Sequence, residues 1–339
     1  MSVDHGPPPG RTSGVRHNAD GGLLLSGRWW LVLLAAASVT LIALFMTLGS
    51  AGNWDFILPR RSVRVGALVL VAFAVATSTV LFQTITNNRI LTPSIMGFDP
   101  LYILIQTTLA FSIGTHRWTT TDPALRYVVE IAIMVVFSSL LYRWLFTGAS
   151  RSLHLMLLVG IIFGSFFRSL SSLMQRLIDP NEFQTLQDLF FASFGDVEPS
   201  LLFVSLVIVA GVTGYAWIIR HSFDVLALGR DTAINLGLEH QRLVSRILVM
   251  VAILVSVSTA LVGPITFFGL LVANLAYLLA GSSRHRRTLP IAFLLAVIFL
   301  VGGQLILERA FQFDTSLSII IEFIGGIVFI MLLLRRSPR

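Results

Sequence analysis

The sequence predicts an all-α membrane protein with about ten transmembrane helices. Of its 339 residues, 55% are hydrophobic and only 12% are charged, a composition far outside that of soluble domains. A transmembrane helix needs about 20 predominantly apolar residues. Seven apolar runs come clearly close to that length: 29–49, 65–84, 127–146, 201–219, 243–262, 289–307 and 318–334. Shorter or interrupted runs at 101–113, 153–167 and 265–280 bring the expected count to ten.

Residues 1–27 precede the first apolar run and are mostly polar. Consecutive prolines at 7–9 and scattered glycines occupy this segment, which lacks the apolar stretch of a signal peptide. We expect a disordered tail in the cytosol. Residues 28–336 are then expected to form one transmembrane domain of ten spans, and residues 337–339 a second, short cytosolic tail.

The formally basic residues are all arginines, and their positions predict the orientation of the chain. They cluster in alternate loops, as cytosolic loops do under the positive-inside rule. The arginines assigned to the cytosol are Arg11, Arg16, Arg28, Arg143, Arg151, Arg220, Arg230, Arg242, Arg284, Arg286, Arg287, Arg335, Arg336 and Arg339. Both termini are therefore expected in the cytosol, with most acidic residues on the opposite side. Because the arginines follow the spans, we expect membrane lipid and no nucleic acid among the partners.

Two residue types are missing from the chain, and each absence excludes a class of chemistry. Without cysteine there is no disulfide, thiolate metal site or cysteine nucleophile. Without lysine there is no glycine–lysine loop to hold nucleotide phosphates. Histidines and acids do not recur at metal-ligand spacing. The sequence thus predicts no metal site and no cofactor of its own.

The segment 221–243 is polar and separates two apolar runs, in a loop assigned to the cytosol. Gly229 and Gly237 divide it into two short helices joined by a turn. Residues expected to cover a partner or the membrane edge are Leu226, Ala227, Ala233, Ile234, Leu236 and Leu238. Residues expected to face water are Arg230, Asp231, Glu239 and Arg242. This pattern predicts either a docking surface for a soluble partner or an ordinary interfacial helix.

Two further segments interrupt the apolar spans. At 83–100, polar residues, proline and glycine break the path between the second and third spans. Such a break indicates either a water-lined substrate route or a tight turn. At 263–271, Pro264 follows Gly263, so one helix is expected to end there and a short one to begin. A turn between helices without further function explains this second break equally well.

The last candidate functional residues are charged residues at positions where the positive-inside rule or the apolar span does not predict a charge. Arg60, Arg61 and Arg64 precede the second span, and Arg309 precedes the tenth, all opposite the arginine-rich loops. They are expected either to reach lipid headgroups or to form a cationic rim for an acidic partner. Glu322 stands inside an apolar span, where an acid is costly and therefore a functional candidate. Protonation, or a hydrogen bond to a neighbouring helix, is the other interpretation of Glu322.

Taken in order, these segments resemble the permease subunits of bacterial iron–siderophore ABC importers, the family that includes the cobalamin importer's permease. The resemblance covers about residues 28–336. An R-x-x-R element before the second span is matched by Arg61 and Arg64. The other matched positions are Gln83, Asn88, Pro93 and Gly97; Leu228, Gly229, Ala233, Leu236 and Gly237; and Gly263, Pro264, Ile265, Phe267, Gly269 and Leu270.

The chain also departs from the family pattern. Arg89 stands where the family has proline, and Asn274 and Tyr277 replace the histidine and arginine of a Pro-His-x-x-Arg element. The short helix after the seventh span is therefore expected to lack its usual basic contact. Segments 91–102 and 269–276 resemble a subgroup that pairs two non-identical permeases and serves catecholate-type siderophores.

The resemblance implies a cobalamin-importer-like permease that pairs with an identical or different permease around a central path, in the bacterial plasma (inner) membrane. It implies that an extracytoplasmic binding protein delivers the ferric siderophore to Arg61, Arg64 and Arg309. Two ATPase subunits would bind the ATP and dock on helices at about 224–240. The residues implied for that coupling are Asp224, Leu228, Gly229, Ala233, Leu236 and Gly237. The residues implied for the path or its gate are Gln83, Asn88, Pro93, Gly97, Gly263 and Pro264.

Two other functions are considered beside the permease, which itself would have no catalytic site. An ion-coupled secondary transporter would use Glu322 and the broken helices, but it needs an inverted repeat and buried ion ligands that the sequence does not display. A membrane-bound lipid transferase would need paired aspartate motifs. Asp224 and Asp231 are isolated and do not supply them.

Overall fold

The computed structural model describes residues 27–49, 54–147, 153–195, 197–282, 284–310 and 316–335. These residues form helices and contain no strand. The helices are α1 (Gly27–Thr47), α2 (Trp54–Thr86), α3 (Phe98–Ile113), α4 (Thr115–Thr120), α5 (Pro123–Thr147), α6 (Leu153–Gln175), α7 (Pro180–Asp188), α8 (Pro199–Ile218), α9 (Arg220–Leu226), α10 (Arg230–Asn235), α11 (His240–Val262), α12 (Phe268–Ala280), α13 (His285–Ala310) and α14 (Leu317–Arg335), with a 3-10 helix at Pro93–Met96. The expectations for both tails fall almost entirely outside the described residues.

Seven of these helices are long and apolar enough to cross a membrane: α1, α2, α5, α6, α8, α11 and α13. Three shorter apolar helices, α3, α12 and the described apolar part of α14, bring the count to ten. The prediction of an all-α protein with about ten spans is confirmed. One boundary differs, because the run at 153–167 continues as a full helix to Gln175. Its serines Ser169 and Ser171 bond carbonyls of their own helix, so they do not interrupt it.

Helices α2 and α11 form the centre of the bundle. In each, 72% of the apolar stretch is buried, against 17% in α1 and 11% in α8. Helix α13 packs on α1 and α2, while α5 packs on α11. Small residues such as Ala67 and Ala72 are fully buried in α2 and allow neighbouring helices to approach closely. The outer helices α1 and α8 present apolar side chains that a bilayer would cover.

Helices α2 and α13 run in opposite directions and connect the two ends of the bundle. At one end, the last residues of α2 and the first residues of α13 meet α9. Helices α9 and α10 form a hairpin there, so this end is called the hairpin end. At the other, called the distal end, Arg64 of α2 meets Glu308 of α13. The helical stretch from Arg61 to Thr84 is about 35 Å long at about 1.5 Å per residue. That length suffices to cross the hydrocarbon core of a bilayer.

Candidate functional site

Helices α9 and α10 form a hairpin between α8 and α11, as the sequence predicts. Helix α9 ends at Leu226, and α10 begins after a turn through Leu228 and Gly229. Gly229 has a φ of +96° and Gly237 a φ of +86°, a left-handed region that glycine adopts without steric cost. The prediction of two short helices punctuated by these glycines is confirmed.

The hairpin has a buried apolar face and an exposed one, and the division differs from the predicted division. The sequence predicts that Leu226 and Ala233 cover a partner or the membrane edge, but both are buried within the chain, as is Phe223. Two helices this short have no core of their own, so they bury one apolar face on the bundle. The exposed apolar face consists of Leu228 (61% exposed), Ile234 (47%) and Leu236 (60%).

Asp224 connects the hairpin to the transmembrane helices. Its Oδ1 atom accepts a hydrogen bond from the backbone N–H of His285 at 2.9 Å and lies 2.7 Å from His285 Nδ1. The other ring nitrogen, Nε2, is 2.7 Å from Thr84 Oγ1 near the end of α2. The chain Asp224–His285–Thr84, called the hairpin relay, therefore runs from α9 through the start of α13 to α2.

The hairpin relay keeps Asp224 ionised. Partial burial raises the pKa of this carboxyl, but the hydrogen bonds from His285 and the nearby charges of His285 and Arg284 outweigh burial and lower the pKa below its ordinary value. A carboxyl with a depressed folded pKa contributes stability above its unfolded pKa and loses it as the pH falls through the folded pKa. The contribution of this contact is thus present at neutral pH and is lost as the pH falls below the ordinary pKa range of a carboxyl.

Gln83 and Asn88 close the turn that follows α2. Gln83 Nε2 donates to the Arg89 carbonyl at 2.8 Å, and the Asn88 N–H donates to the Gln83 carbonyl at 3.2 Å. Asn88 Oδ1 accepts the N–H of Ile90 at 2.9 Å, which forms an Asx turn. The segment after α2 thus begins with a turn, and a role in a substrate route stays a prediction.

A polar cavity of about 230 Å³ lies beside this turn at the hairpin end. Its lining residues are Gln83, Thr84, Asn87, Asn88, Arg89, Ala227 and Tyr277. Gln83 Oε1 is buried and has no hydrogen-bond partner among the described residues. Thr84 belongs to the hairpin relay and Ala227 to the hairpin turn, so a movement of the hairpin would change the shape of this cavity.

Two departures from the family pattern meet at this cavity. The guanidinium carbon of Arg89 lies 4.4 Å from the centre of the Tyr277 ring, within the range of a cation–π contact. Asn274 Nδ2 donates to the Arg89 carbonyl at 3.0 Å. Arg89 thus places a cation against α12 from the turn after α2, and the expectation that α12 lacks its usual basic contact stays a prediction.

Pro93 and Gly97 bound the 3-10 helix that leads into α3. Gly97 has a φ of +92° and ends that helix. A Cβ atom there would lie 3.2 Å from the Gly164 Cα and 3.3 Å from the Gly160 carbonyl oxygen, both on α6. This position thus requires glycine both for its backbone conformation and for its packing.

The predicted break at Gly263 and Pro264 is confirmed. Gly263 ends α11 with a φ of +97°, and a Cβ atom there would lie 2.9 Å from the Phe191 carbonyl oxygen. The N–H of Ser193 donates to the Val262 carbonyl at 2.8 Å. The segment after α7 is thereby fixed against the end of α11.

Glu322 lies near a second acid, Asp99. Thr266, in the break between α11 and α12, donates to Asp99 Oδ2 at 2.9 Å. Asp99 is buried, and Glu322 is partly buried. Both interpretations of Glu322, a functional acid or one that is protonated or bonded to a neighbouring helix, stay predictions.

Arg61 and Arg309 bond the end of α1. Arg61 Nη1 donates to the carbonyls of Phe45 at 2.8 Å, Met46 at 3.1 Å and Leu48 at 2.7 Å. Arg309 also donates to the Leu48 carbonyl. These carbonyls at a helix C-terminus lack partners within the helix, so the two arginines satisfy them and hold α1 against α2 and α13.

Arg64 forms the internal ion pair of the distal end. Its Nη1 atom lies 3.1 Å from Glu308 Oε1, and the side chains are 27% and 10% exposed. Its Nε and Nη2 atoms donate to the Gly195 carbonyl at 3.3 Å. The arginines assigned to docking thus have partners within the chain, and a role in docking stays a prediction.

Three polar residues take part in the contacts described above, although the sequence does not mark them as candidates. They are Thr84, Asp99 and His285. His285 stands among Arg284, Arg286 and Arg287 and looks like part of a basic loop. Its partners Asp224 and Thr84 lie 61 and 201 residues away along the chain. No local pattern relates residues so far apart.

The comparisons with known proteins cover nearly the whole chain. The model of the FecCD transport family matches residues 23–335. The petrobactin import system permease protein YclO of Bacillus subtilis (strain 168) is 47% identical over 307 residues, which cover 91% of this chain and 97% of YclO. A second petrobactin import permease of that strain, YclN, is 24% identical over 284 residues, covering 82% of this chain and 85% of YclN.

A solved structure has a similar fold. It is an inward-facing conformation of a metal-chelate type ABC transporter, with a TM-score of 0.79 and 20% identity. The match covers 91% of this chain and 99% of that chain. The family match over residues 23–335 and the 47% identity to YclO show that the chain belongs to the FecCD transport family.

Proposed function

We propose that this chain is the transmembrane permease subunit of an ABC importer that moves a ferric siderophore into the cytoplasm. The observation that carries the proposal is the hairpin, which presents an exposed apolar face at one end of a membrane bundle and is tied to that bundle by Asp224. Family membership and the similarity to YclO support a siderophore as substrate. The similarity of segments 91–102 and 269–276 to one subgroup favours a catecholate-type siderophore.

Separate ATPase subunits drive the transport and dock on the exposed apolar face of the hairpin. They bind and hydrolyse the ATP, so this chain needs neither a catalytic site nor a cofactor. Moving a gate between mostly closed and mostly open takes about 5.5 kcal/mol of differential binding. The buried contacts of Phe223, Leu226 and Ala233, with the hairpin relay, provide the route by which that energy reaches α2 and α13.

A second permease completes the translocation path. The turn at Gln83–Asn88, the close contact at Gly97 and the break at Gly263–Pro264 are positions at which helices of this chain shift during gating. YclO and YclN are different petrobactin import permeases of one strain, which supports a non-identical partner here. The ion-coupled alternative finds no support, because the relatives are import-system permeases and the similar solved structure is an ABC transporter.

The hairpin end faces the cytoplasm, and both termini lie on that side of the bacterial plasma membrane. The distal end then faces an extracytoplasmic binding protein that delivers the ferric siderophore. Arg60 supports this docking, since it is exposed and stacks on Phe56 with 4.3 Å between guanidinium and ring centre. Arg61, Arg64 and Arg309 contribute less directly, because they shape the surface while bonded within the chain.

The test is reconstitution of this chain with its ATPase, its sister permease and its binding protein in liposomes. The variant Leu228→Asp/Leu236→Asp should lose ATPase co-purification and ATP-driven uptake of the ferric siderophore. Truncating central apolar contacts of an interface costs about 2 kcal/mol or more, which weakens binding more than about tenfold. The matched control is Leu177→Asp, whose leucine is 66% exposed in the turn after α6.

Three outcomes separate the possibilities. Loss of uptake in the hairpin variant with retained uptake in Leu177→Asp supports the proposal. Full ATPase binding and uptake by the hairpin variant would contradict it. Uptake that continues without ATP, and stops when the proton gradient is dissipated or in Glu322→Gln, would instead establish ion coupling.

A further inference from the structure

A second cavity, of about 730 Å³, lies at the hairpin end among α2, α8, α9, α11 and α13. Its volume is in the range of pockets that hold small molecules, whereas helix bundles otherwise pack with few voids. Its apolar lining consists of Phe73, Val212, Ala216, Phe223, Met250, Leu254, Leu289, Pro290 and Phe293. The interior is thus suited to hydrocarbon and offers little to a polar solute.

The mouth of this cavity is cationic. Arg220 and Arg286 line it, with His221 beside them, and both arginines are exposed. Arg220 stacks on Trp217 at 4.3 Å and donates to its carbonyl at 3.0 Å. The acid in the lining, Asp224, already accepts hydrogen bonds from His285. The net charge presented to a ligand at the mouth is therefore positive.

The cavity borders the surface that a bilayer would cover. Helix α8 supplies one wall and is the least buried of the long apolar helices. Its outward side chains include Phe203 (68% exposed), Trp217 (66%) and Ile218 (75%). Tryptophan and arginine at the end of an apolar helix are typical of the headgroup level of a membrane. A ligand with its charge at the mouth thus lies at the depth of a phospholipid.

We propose that this cavity binds an anionic phospholipid, with an acyl chain among the apolar walls and the phosphate between Arg220 and Arg286. Apolar walls and a cationic mouth match the two parts of such a lipid, and basic residues near a membrane surface favour anionic headgroups. Phe223 and Asp224 line the cavity and belong to α9. The bound lipid therefore supports the buried side of the hairpin, where the ATPase force enters.

The experiment is native mass spectrometry of the full-length chain, purified free of lipid and titrated with phosphatidylglycerol or phosphatidylcholine of identical acyl chains. Phosphatidylglycerol should bind on the order of tenfold more tightly, an advantage that Arg220→Gln/Arg286→Gln removes. The variant Ala216→Trp, which fills the cavity, should lose the adducts of both lipids. The matched control is Arg117→Gln, since Arg117 is also exposed but lies on α4, near the distal end.

Each result decides for or against the lipid site, independently of transport. Equal binding of the two lipids, or equal losses in the double variant and Arg117→Gln, would overturn it. Displacement of bound lipid by the ATPase subunits would assign the cavity to a protein interface instead. Should Ala216→Trp fail to fold, the double variant still decides, because both of its arginines are exposed. Retained folding is checked by size-exclusion chromatography.

Discussion

The hairpin end and the distal end of the bundle use charged residues in different ways. At the hairpin end, one carboxylate, Asp224, joins a short surface hairpin to two long helices through a single chain of polar contacts. At the distal end, Arg61 and Arg64 fasten helix ends to one another through several bonds each. The distal arginines therefore stabilise the bundle, whereas Asp224 connects a short surface hairpin to helices that span the membrane.

The largest stability effect is expected at the distal end, from Arg64→Ala. This change leaves Glu308, only 10% exposed, without its ion pair, and breaking a fully buried pair costs about 3–5 kcal/mol. Because Arg64 is 27% exposed, solvent screening reduces the expected loss to about 2 kcal/mol. The measurement is the thermal unfolding midpoint in detergent, which should fall clearly below that of the unaltered chain.

Two further variants test the origin of that loss. Adding Glu308→Gln to Arg64→Ala should recover part of the midpoint, since the unpaired charge is then gone. Arg60→Ala, at an exposed neighbour that stacks on Phe56, should change the midpoint little. An unchanged midpoint in Arg64→Ala, together with lost capture of the binding protein, would make Arg64 a docking residue and remove the contrast between the ends.

At the hairpin end, Asp224→Ala is expected to change transport more than stability. A typical hydrogen bond contributes about 1 kcal/mol, so the unfolding midpoint should fall less than in Arg64→Ala. The exposed apolar face remains, so the ATPase should still co-purify. Uptake per ATP hydrolysed should drop, because the hairpin relay no longer carries the movement of α9 to α2.

The control for Asp224→Ala is Asp231→Ala, an exposed acid on α10. It should leave both the midpoint and the uptake per ATP unchanged. Equal effects of the two variants would mean that the hairpin relay transmits nothing, and that any acid on the hairpin acts through charge alone.

The sequence predicts the parts of this architecture that depend on local pattern. Apolar length predicts the spans, and Gly229 and Gly237 predict the hairpin, because these features follow from hydrophobicity and backbone conformation alone. The faces of the hairpin are predicted only in part. Leu226 and Leu228 are equally apolar, and only the bundle beside them decides which one is buried.

Local sequence patterns do not predict contacts between residues that are far apart in the chain. Arg61 and Arg64 look like free surface charges in the sequence, yet each has acceptors on another helix. Likewise, Asp224 and His285 give no sign of each other. Sequence motifs thus predict most of the candidate residues. The hydrogen bonds that these residues form depend on how α1, α2, α9 and α13 pack together.

The smallest expected effect concerns the contact between Arg89 and Tyr277 at the hairpin end. The family pattern that the sequence resembles has its cation on α12, whereas here Arg89 in the turn after α2 stacks on Tyr277. Tyr277→Arg alone should destabilise the chain, because it removes the aromatic ring and places a second guanidinium beside Arg89. A cation–π contact contributes about 0.5–1 kcal/mol at exposed sites, so a shift of that order in the free energy of unfolding is expected.

Adding Arg89→Pro to Tyr277→Arg restores the family residue at both positions. The double variant should be more stable than the sum of the single changes predicts, by about 0.5–1 kcal/mol, as contacting residues show in double-mutant cycles. Tyr277→Phe keeps the ring and should behave like the unaltered chain. Strictly additive changes in the free energy of unfolding would mean that positions 89 and 277 are not coupled. A measured coupling would instead show that this end of the permease keeps one cation beside the turn, whichever helix or loop provides it.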